Sequence, residues 1–242
     1  PLVIHEQNAI AGMTNVMLSR LAVRVCSAFP TTLAAHKPVT VTGNPVRREI
    51  AALAPPAERF RDRTGPLRLL VVGGSLGAQA LNEMVPLAIA GWAAEFRPQI
   101  WHQTGEKHLA TAQAHYRSAG VAARVVSFID DMAEAYGWAD LVVCRAGALT
   151  ISELAAAGVG SLLVPYPHAV DDHQTANAGF LVDRGAARRV QQSELTAEVL
   201  TKLLLSMTGM GTGGVGPVDR AGLVVMAEAA RAVALPNAAQ VV

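Results

Sequence analysis

Three short stretches hold the side chains through which this sequence could do chemistry. Gly73-Gly74-Ser75-Leu76-Gly77-Ala78 sets a serine among glycines directly after an apolar run. A Gly-x-Ser-x-Gly pattern there fits a nucleophile elbow, with Ser75 attacking, His173 as its base and Asp140 or Asp171 as the acid. It also fits a turn whose small residues let a phosphate reach backbone amides at the start of a helix. The second stretch is Arg145-Ala146-Gly147-Ala148-Leu149-Thr150-Ile151-Ser152-Glu153. Its amides at 148–150 open a helix and attract an anion, while Thr150 and Glu153, three apart, project together near the same positive end. Glu153 would repel phosphate, so its natural partner is a pair of neutral hydroxyls such as a ribose. A plain strand-to-helix turn with a solvated Glu153 fits the same letters. The third stretch runs from Pro165 through His168, Asp171, Asp172 and His173 to Gln174. These read as hydrogen-bonding groups at a rim and not as metal ligands, and no Asp-x-Asp pair is present to chelate a nucleotide-bound divalent ion.

These stretches need a scaffold that brings them to one edge. Apolar runs at 67–72, 99–102, 124–128, 140–144 and 161–164 read as strands, separated by helical patterns at 79–94 (interrupted at Pro86), 107–119, 131–138 and 148–158. Strands and helices alternating at these lengths predict right-handed βαβ units and a doubly wound parallel sheet. Further helices are expected at 175–184, 197–207 and 223–232, with 209–217 a flexible surface connection. Upstream, strands are expected at 1–5, 23–29 and 39–42, around a helix carrying Ile10, Met13, Met17, Leu18 and Leu21. Residues 43–48 form a turn cluster and 51–65 a connection without strand character. Asn8, after the first strand, is either a ligand contact or the anchor of an Asx turn. Arg47 either reaches an anion or a base across a cleft or is simply solvated. The chain opens on Pro1-Leu2-Val3-Ile4-His5, without methionine and in what reads as mid-strand, so a fragment of a longer protein is expected.

Composition narrows the function further. The 242 residues are 51% hydrophobic and 16% charged, which fits a globular chain with a sizeable core and not a disordered one. A net charge of +1 without a Lys/Arg stripe gives no reason to expect nucleic acid. Cys26 and Cys144 are too few for a disulfide framework or a zinc site. The Gly-x-Gly-x-x-Gly pattern of a dinucleotide oxidoreductase is absent from 73–78. Two small-residue turns, each opening a helix at one rim, favour a diphosphate ligand over an acyl substrate.

Six motifs in consistent order resemble the MurG family of peptidoglycan glycosyltransferases: His5-Glu6-Gln7-Asn8, Thr42-Gly43-Asn44-Pro45-Val46-Arg47, Gly73 to Ala78, Trp101-His102-Gln103-Thr104-Gly105, Phe128-Ile129-Asp130-Asp131-Met132 and Arg145 to Glu153. The resemblance runs over about 1–205. It implies an α/β fold of GT-B type, with one complete Rossmann-like doubly wound parallel-sheet domain and the remnant of a second. The expected division is 1–46 as that remnant, 47–222 as the domain binding UDP-N-acetylglucosamine, and 223–242 as a C-terminal helix and tail packing partly back on the first. The implied activity is inverting transfer of N-acetylglucosamine from UDP-N-acetylglucosamine to lipid I, giving lipid II, at the cytoplasmic face of the inner membrane with peripheral contact. No cofactor or metal is implied. By the same resemblance Ala148, Leu149, Thr150, Ile151, Ser152 and Glu153 grip the UDP, with Glu153 on the ribose. Ser75 meets the diphosphate, Ile129 the uracil through its backbone, and Asn8 and Arg47 complete the donor site. Gln174, with His173 beside it, recognises sugar hydroxyls. The family's base histidine would lie upstream of Pro1, so this chain alone is expected to be the donor-binding portion and inactive in transfer. The competing readings are a serine hydrolase using Ser75 and a nucleotide-sugar binding module without turnover.

Overall fold

The computed structural model describes residues 1–30, 33, 38–74, 76–167 and 172–241. The amino-terminal unit is a parallel sheet of β1 (Val3–Glu6), β2 (Arg24–Ser27) and β3 (Val39–Val41), with α1 (Met13–Ser19) crossing between the first two. Its core is small: Ile4, Ala22, Val25 and Leu33. The apolar positions that predict α1 do not bury it. Met13, Met17 and Leu21 are 78%, 66% and 75% exposed.

Two short helices, α2 (Arg48–Ala51) and α3 (Pro56–Phe60), occupy the segment read as a structureless connection. Pro56 at the first helical turn costs no hydrogen bond there, which lets so short a helix start. The main unit then runs β4 (Arg68–Val72), α4 (Gln79–Ala90), β5 (Gln99–Gln103), α5 (Leu109–Ser118), β6 (Arg124–Val126), α6 (Met132–Trp138), β7 (Leu141–Cys144), α7 (Ala148–Ala157), β8 (Ser161–Leu163), α8 (His173–Val182), β9 (Ala187–Arg189), α9 (Ala197–Thr208), α10 (Arg220–Ala232) and α11 (Ala238–Val241). All six strands are parallel, in the order β6-β5-β4-β7-β8-β9. Along β4, Leu69 and Val71 join the core on one face and Leu70 the core on the other, as a sheet covered on both sides requires.

Three departures from the sequence reading have local causes. β9 was not expected: it is an edge strand of three residues, Ala-Arg-Arg, and both arginines face solvent, so it has no apolar alternation to read. Pro86 does not interrupt α4, which runs through it. The missing amide frees the Asn82 carbonyl, and the His115 ring, 3.2 Å away through Nδ1, takes that place. The glycine-rich 209–217 segment is a shaped turn and not a loose connection. Gly211 bridges Val215, and a side chain at Gly214 would collide with the Trp92 ring at 2.5 Å.

His102 on β5 is fully buried, its Nδ1 2.8 Å from the Tyr116 hydroxyl. Burial holds the imidazole down to about 3, so the native ring stays neutral where an unfolded one takes up a proton. This contribution is complete above about pH 6.5 and is lost as pH falls toward 3, amounting to about 2 kcal/mol by pH 5. Replacing His102 with glutamine should flatten the fall in unfolding free energy between pH 7 and pH 5 by that amount. Parallel wild-type and variant slopes in denaturant titrations would refute it.

Candidate functional site

In the order β6-β5-β4-β7-β8-β9 the chain winds outward in both directions from β4 and β7. The carboxyl ends of these two strands, Val72 and Cys144, are register partners, which opens a crevice at the point of reversal. A 630 Å³ cavity lies there, lined by Gly73, Gly74, Leu76 to Ala80, His108, Arg145, Gly147, Thr150, Tyr166, Gln174 and Gln192. Two of the three predicted stretches thus meet on one wall and the third closes it through Gln174.

Two helices start at this cavity, and neither α4 at Ala78 nor α7 at Gly147 has a side-chain cap. Uncapped first-turn amides and the helix dipoles make both ends attractive to an anion. Not every amide is available, however. Gly73 donates to Gln103 O, Gly74 to Gln103 Oε1 and Gly77 to Gly74 O. Gln103, 3% exposed, returns a bond from Nε2 to Gly74 O at 2.9 Å and another to Ser127 O at 3.2 Å. Its amide therefore fixes the glycine turn against the end of β6. Gly77 sits at φ 78°, and a Cβ there would lie 2.2 Å from the Thr104 carbonyl oxygen, so only glycine allows the two turns to touch.

The expected site residues fall into separate roles. Ser75 lies outside the described residues, as do His168 and Asp171. Thr150 and Gln174 line the main cavity, and Leu149 beside them is 51% exposed. Ala148 is 8% exposed, the first residue of α7. The Ile151 side chain is fully buried and its amide is bonded to Gly147 O at 2.9 Å, so both help hold α7 in place. Ser152 is likewise turned inward, its hydroxyl donating to Ala148 O and accepting from Asn44 Nδ2 at 3.2 Å. Glu153 is held at both oxygens, by Arg47 Nη2 at 3.3 Å and the Tyr136 hydroxyl at 3.1 Å. Burial first, then the Glu153 charge, push the Tyr136 phenol well above its ordinary range, so it remains a neutral donor. Burial also pushes the Cys144 thiol up to about 12, which leaves it unreactive. Ile129 is 4% exposed, and beside its turn lies a 340 Å³ cavity lined by Arg47, Ile50, Asp130 and Met132 among others.

Gln174 Oε1 accepts from the amides of Ala146 at 3.2 Å and Tyr166 at 2.9 Å, which assigns its orientation and leaves the NH₂ end as the donor for a ligand. His173, one residue before, lines a different cavity of 380 Å³ with residues 5–8 and Asn15. Asn8 lies in that second cavity, and its Oδ1 accepts from Asn177 Nδ2 at 3.1 Å. The start of α8 thus separates the two cavities. Asn177 is fully buried; its Oδ1 also accepts from Ala9 N at 2.8 Å, and its Nδ2 donates to Ala146 O. Asn44 makes a matching bracket, from Nδ2 to Gln7 O at 3.1 Å and to Ser152 Oγ. These two asparagines, Tyr136, Gln103, Gln192 and the role of Arg145 were missed by sequence reasoning, because each acts on partners remote in the chain. Arg145 Nη1 donates to the carbonyls of Val164 and Pro165 at 3.1 and 3.2 Å, and Nη2 to Gln192 Oε1 at 2.5 Å. Burial lowers its guanidinium from the ordinary range, and nearby Tyr166 and Cys144 oppose this.

The hydrolase geometry is not assembled among the described residues. Asp140 is fully buried at the opposite end of β7 from the crevice, bonded to Arg63 at 2.6 Å and Arg220 at 3.0 Å. His173 faces the second cavity and not the glycine turn.

A doubly wound parallel sheet with a crevice at its reversal point, facing a second parallel unit, defines an α/β chain of GT-B type. The chain belongs to glycosyltransferase family 28: residues 68–212 match that family's C-terminal domain. Over its whole length it is 54% identical to the UDP-N-acetylglucosamine–N-acetylmuramyl-(pentapeptide) pyrophosphoryl-undecaprenol N-acetylglucosamine transferase of Dechloromonas aromatica, of which it spans 64%. The protein of that name from Nitrosospira multiformis is 52% identical, also over the whole chain, which spans 65% of it. The crystal structure of Acinetobacter baumannii MurG superposes with a TM-score of 0.85 at 45% identity, covering 99% of this chain and 64% of that one. The motif resemblance to the MurG family is therefore borne out, for a chain about two thirds as long as these relatives.

Proposed function

We propose that the chain binds UDP-N-acetylglucosamine in the 630 Å³ cavity and is the donor-binding part of an inverting transferase that makes lipid II from lipid I. The observation that carries this is the convergence of two uncapped helix starts and the Arg145 cation on one crevice. Diphosphate would lie across that wall, with the ribose toward Glu153, the uracil against the Ile129 turn and the sugar toward Gln174. The names of the relatives support this donor and acceptor. In the reaction an acceptor hydroxyl oxygen bonds to the sugar's anomeric carbon as the bond from that carbon to the phosphate oxygen breaks, and the hydroxyl's proton passes to a general base in the acceptor-binding part of the transferase. The departing UDP takes the electron pair, and first-turn amides with Arg145 stabilise the charge that develops on it. Residues 1–46 would contribute Asn8 and Arg47's neighbours from the far side of the cleft, and 223–242 would brace the two units. Peripheral contact at the cytoplasmic face of the inner membrane belongs to the same reading; among the described residues no helix is long and apolar enough to cross a membrane.

Calorimetry should detect UDP binding to the 242-residue chain with a preference over uridine, and a fluorophosphonate probe should leave Ser75 unlabelled. Labelling of Ser75 without UDP binding would replace this reading with the hydrolase. Binding without transfer to a lipid I analogue, even when the chain is joined to the remaining third of a relative, would reduce it to a binding module.

A further inference from the structure

We propose that Gln192 is a positioning residue that keeps the Arg145 charge available to a ligand and thereby makes the cavity prefer a nucleoside diphosphate over a monophosphate. The inference rests on the UDP reading above. Arg145 is held by three acceptors, two backbone carbonyls and the Gln192 amide oxygen, all of them neutral. Among the described residues no carboxylate pairs with it; the ion pairs are Arg47 with Glu153, and Arg63 and Arg220 with Asp140. A partly buried guanidinium anchored this way is fixed in direction, while its charge stays uncompensated until an anion arrives.

The place of the charge along the cavity decides which phosphate it meets. Glu153, tethered to Tyr136 on α6 and to Arg47, marks the nucleoside end on the UDP reading. Arg145 lies at the other side, where its guanidinium sits 5.5 Å from the Tyr166 ring and its carbonyl partners close β8. Gln174 contacts the amides of Ala146 and Tyr166 on that same side. A ligand extending from Glu153 toward Gln174 brings its second phosphate, and not its first, closest to Arg145. Gln192 itself lines the cavity, from a short 3₁₀ turn that follows β9. The edge strand invisible in the sequence is therefore what delivers this residue to the site.

The test uses calorimetry of UDP, UMP and uridine on the intact chain carrying Gln192→Glu or Gln192→Leu. Glutamate keeps an acceptor against Nη2 but pairs with the cation, so the ratio of UDP to UMP affinity should fall about tenfold. Leucine removes the acceptor and lets the guanidinium wander, giving a smaller fall of about threefold. Uridine affinity should stay at the wild-type value in both, which also reports that the site is folded. An unchanged ratio with glutamate, or a parallel loss of uridine and UDP, would overturn the proposal and leave the donor reading standing. A wild-type chain that binds none of the three would overturn both.

Discussion

Glu153→Ala should weaken UDP binding by about ten- to a hundredfold, the range expected when a hydrogen-bonded charged acceptor is lost from a partly enclosed site. The carboxylate is 19% exposed and already held at both oxygens, so it is oriented before any ligand arrives. Two donors leave room for more, since a carboxylate has about four lone-pair directions. Arg47 is half-exposed, so its pair with Glu153 adds little stability of its own and serves mainly to aim the group. Alanine also strands the buried Tyr136 hydroxyl, so a drop in affinity alone would mix binding with stability. Two further measurements separate them. Wild type should bind UDP more tightly than 2′-deoxy-UDP, and alanine should abolish that gap. Glu153→Gln should keep the Tyr136 bond and the melting temperature while weakening UDP severalfold. If the 2′-deoxy gap is absent in wild type, Glu153 does not contact the ribose.

Asp140→Ala should lower the unfolding free energy by about 3–5 kcal/mol, because removing one partner of a buried ion pair leaves the other charge uncompensated. Here one carboxylate serves two arginines. Oδ1 accepts from Arg63, while Oδ2 accepts from Arg220 and from the Arg68 amide at 3.1 Å. The three donors come from the segment after α3, from the start of α10 and from β4, so the carboxylate ties two helical segments that share one core to the amino ends of β4 and β7. The neighbouring arginines work in the same way. Arg59 bonds the carbonyls that end α7, and Arg231 bonds Ala156 and Ala51. Burial and the charges of Arg63 and Arg231 bring Arg59 down to about 10, still protonated at neutral pH. Urea titrations should show the loss for Asp140→Ala, with UDP affinity of the folded fraction unchanged because the crevice lies at the other end of the strand. A loss below about 1 kcal/mol would mean that water, and not Asp140, solvates these arginines.

The alternation of short apolar runs with helical patterns was legible along β4 to β8, because strands covered on both faces are mostly apolar and stand out against the helical spacing between them. The helix start at 148–150 was legible for a similar reason: small residues after such a strand leave few other conformations. Gly73 to Ala78 was legible as a small-residue turn between a strand and a helix, but the use of its own amides was not. Gln103, 29 residues from Gly74, claims two of them, one through its carbonyl and one through its side chain, and shapes the rest. Ile151 and Ser152 follow the same helix start in the sequence, and helix geometry turns their side chains inward, which the letters alone do not show.

What the sequence by itself determined is local: the βα alternation, the two small-residue turns that open helices, and the carboxylate set one turn into α7. These follow from chain stereochemistry and hydrophobic periodicity, which act over a few residues. Only the tertiary structure decided which wall the turns share, that Asp140 is a clamp and not a catalytic acid, and that Asn44 and Asn177 join the two units. It alone brought Gln192 to Arg145 across an unannounced edge strand. Those outcomes depend on pairings between residues 28 to 169 positions apart, and a polar side chain carries no mark of its distant partner until the sheet order has put the two within hydrogen-bonding reach.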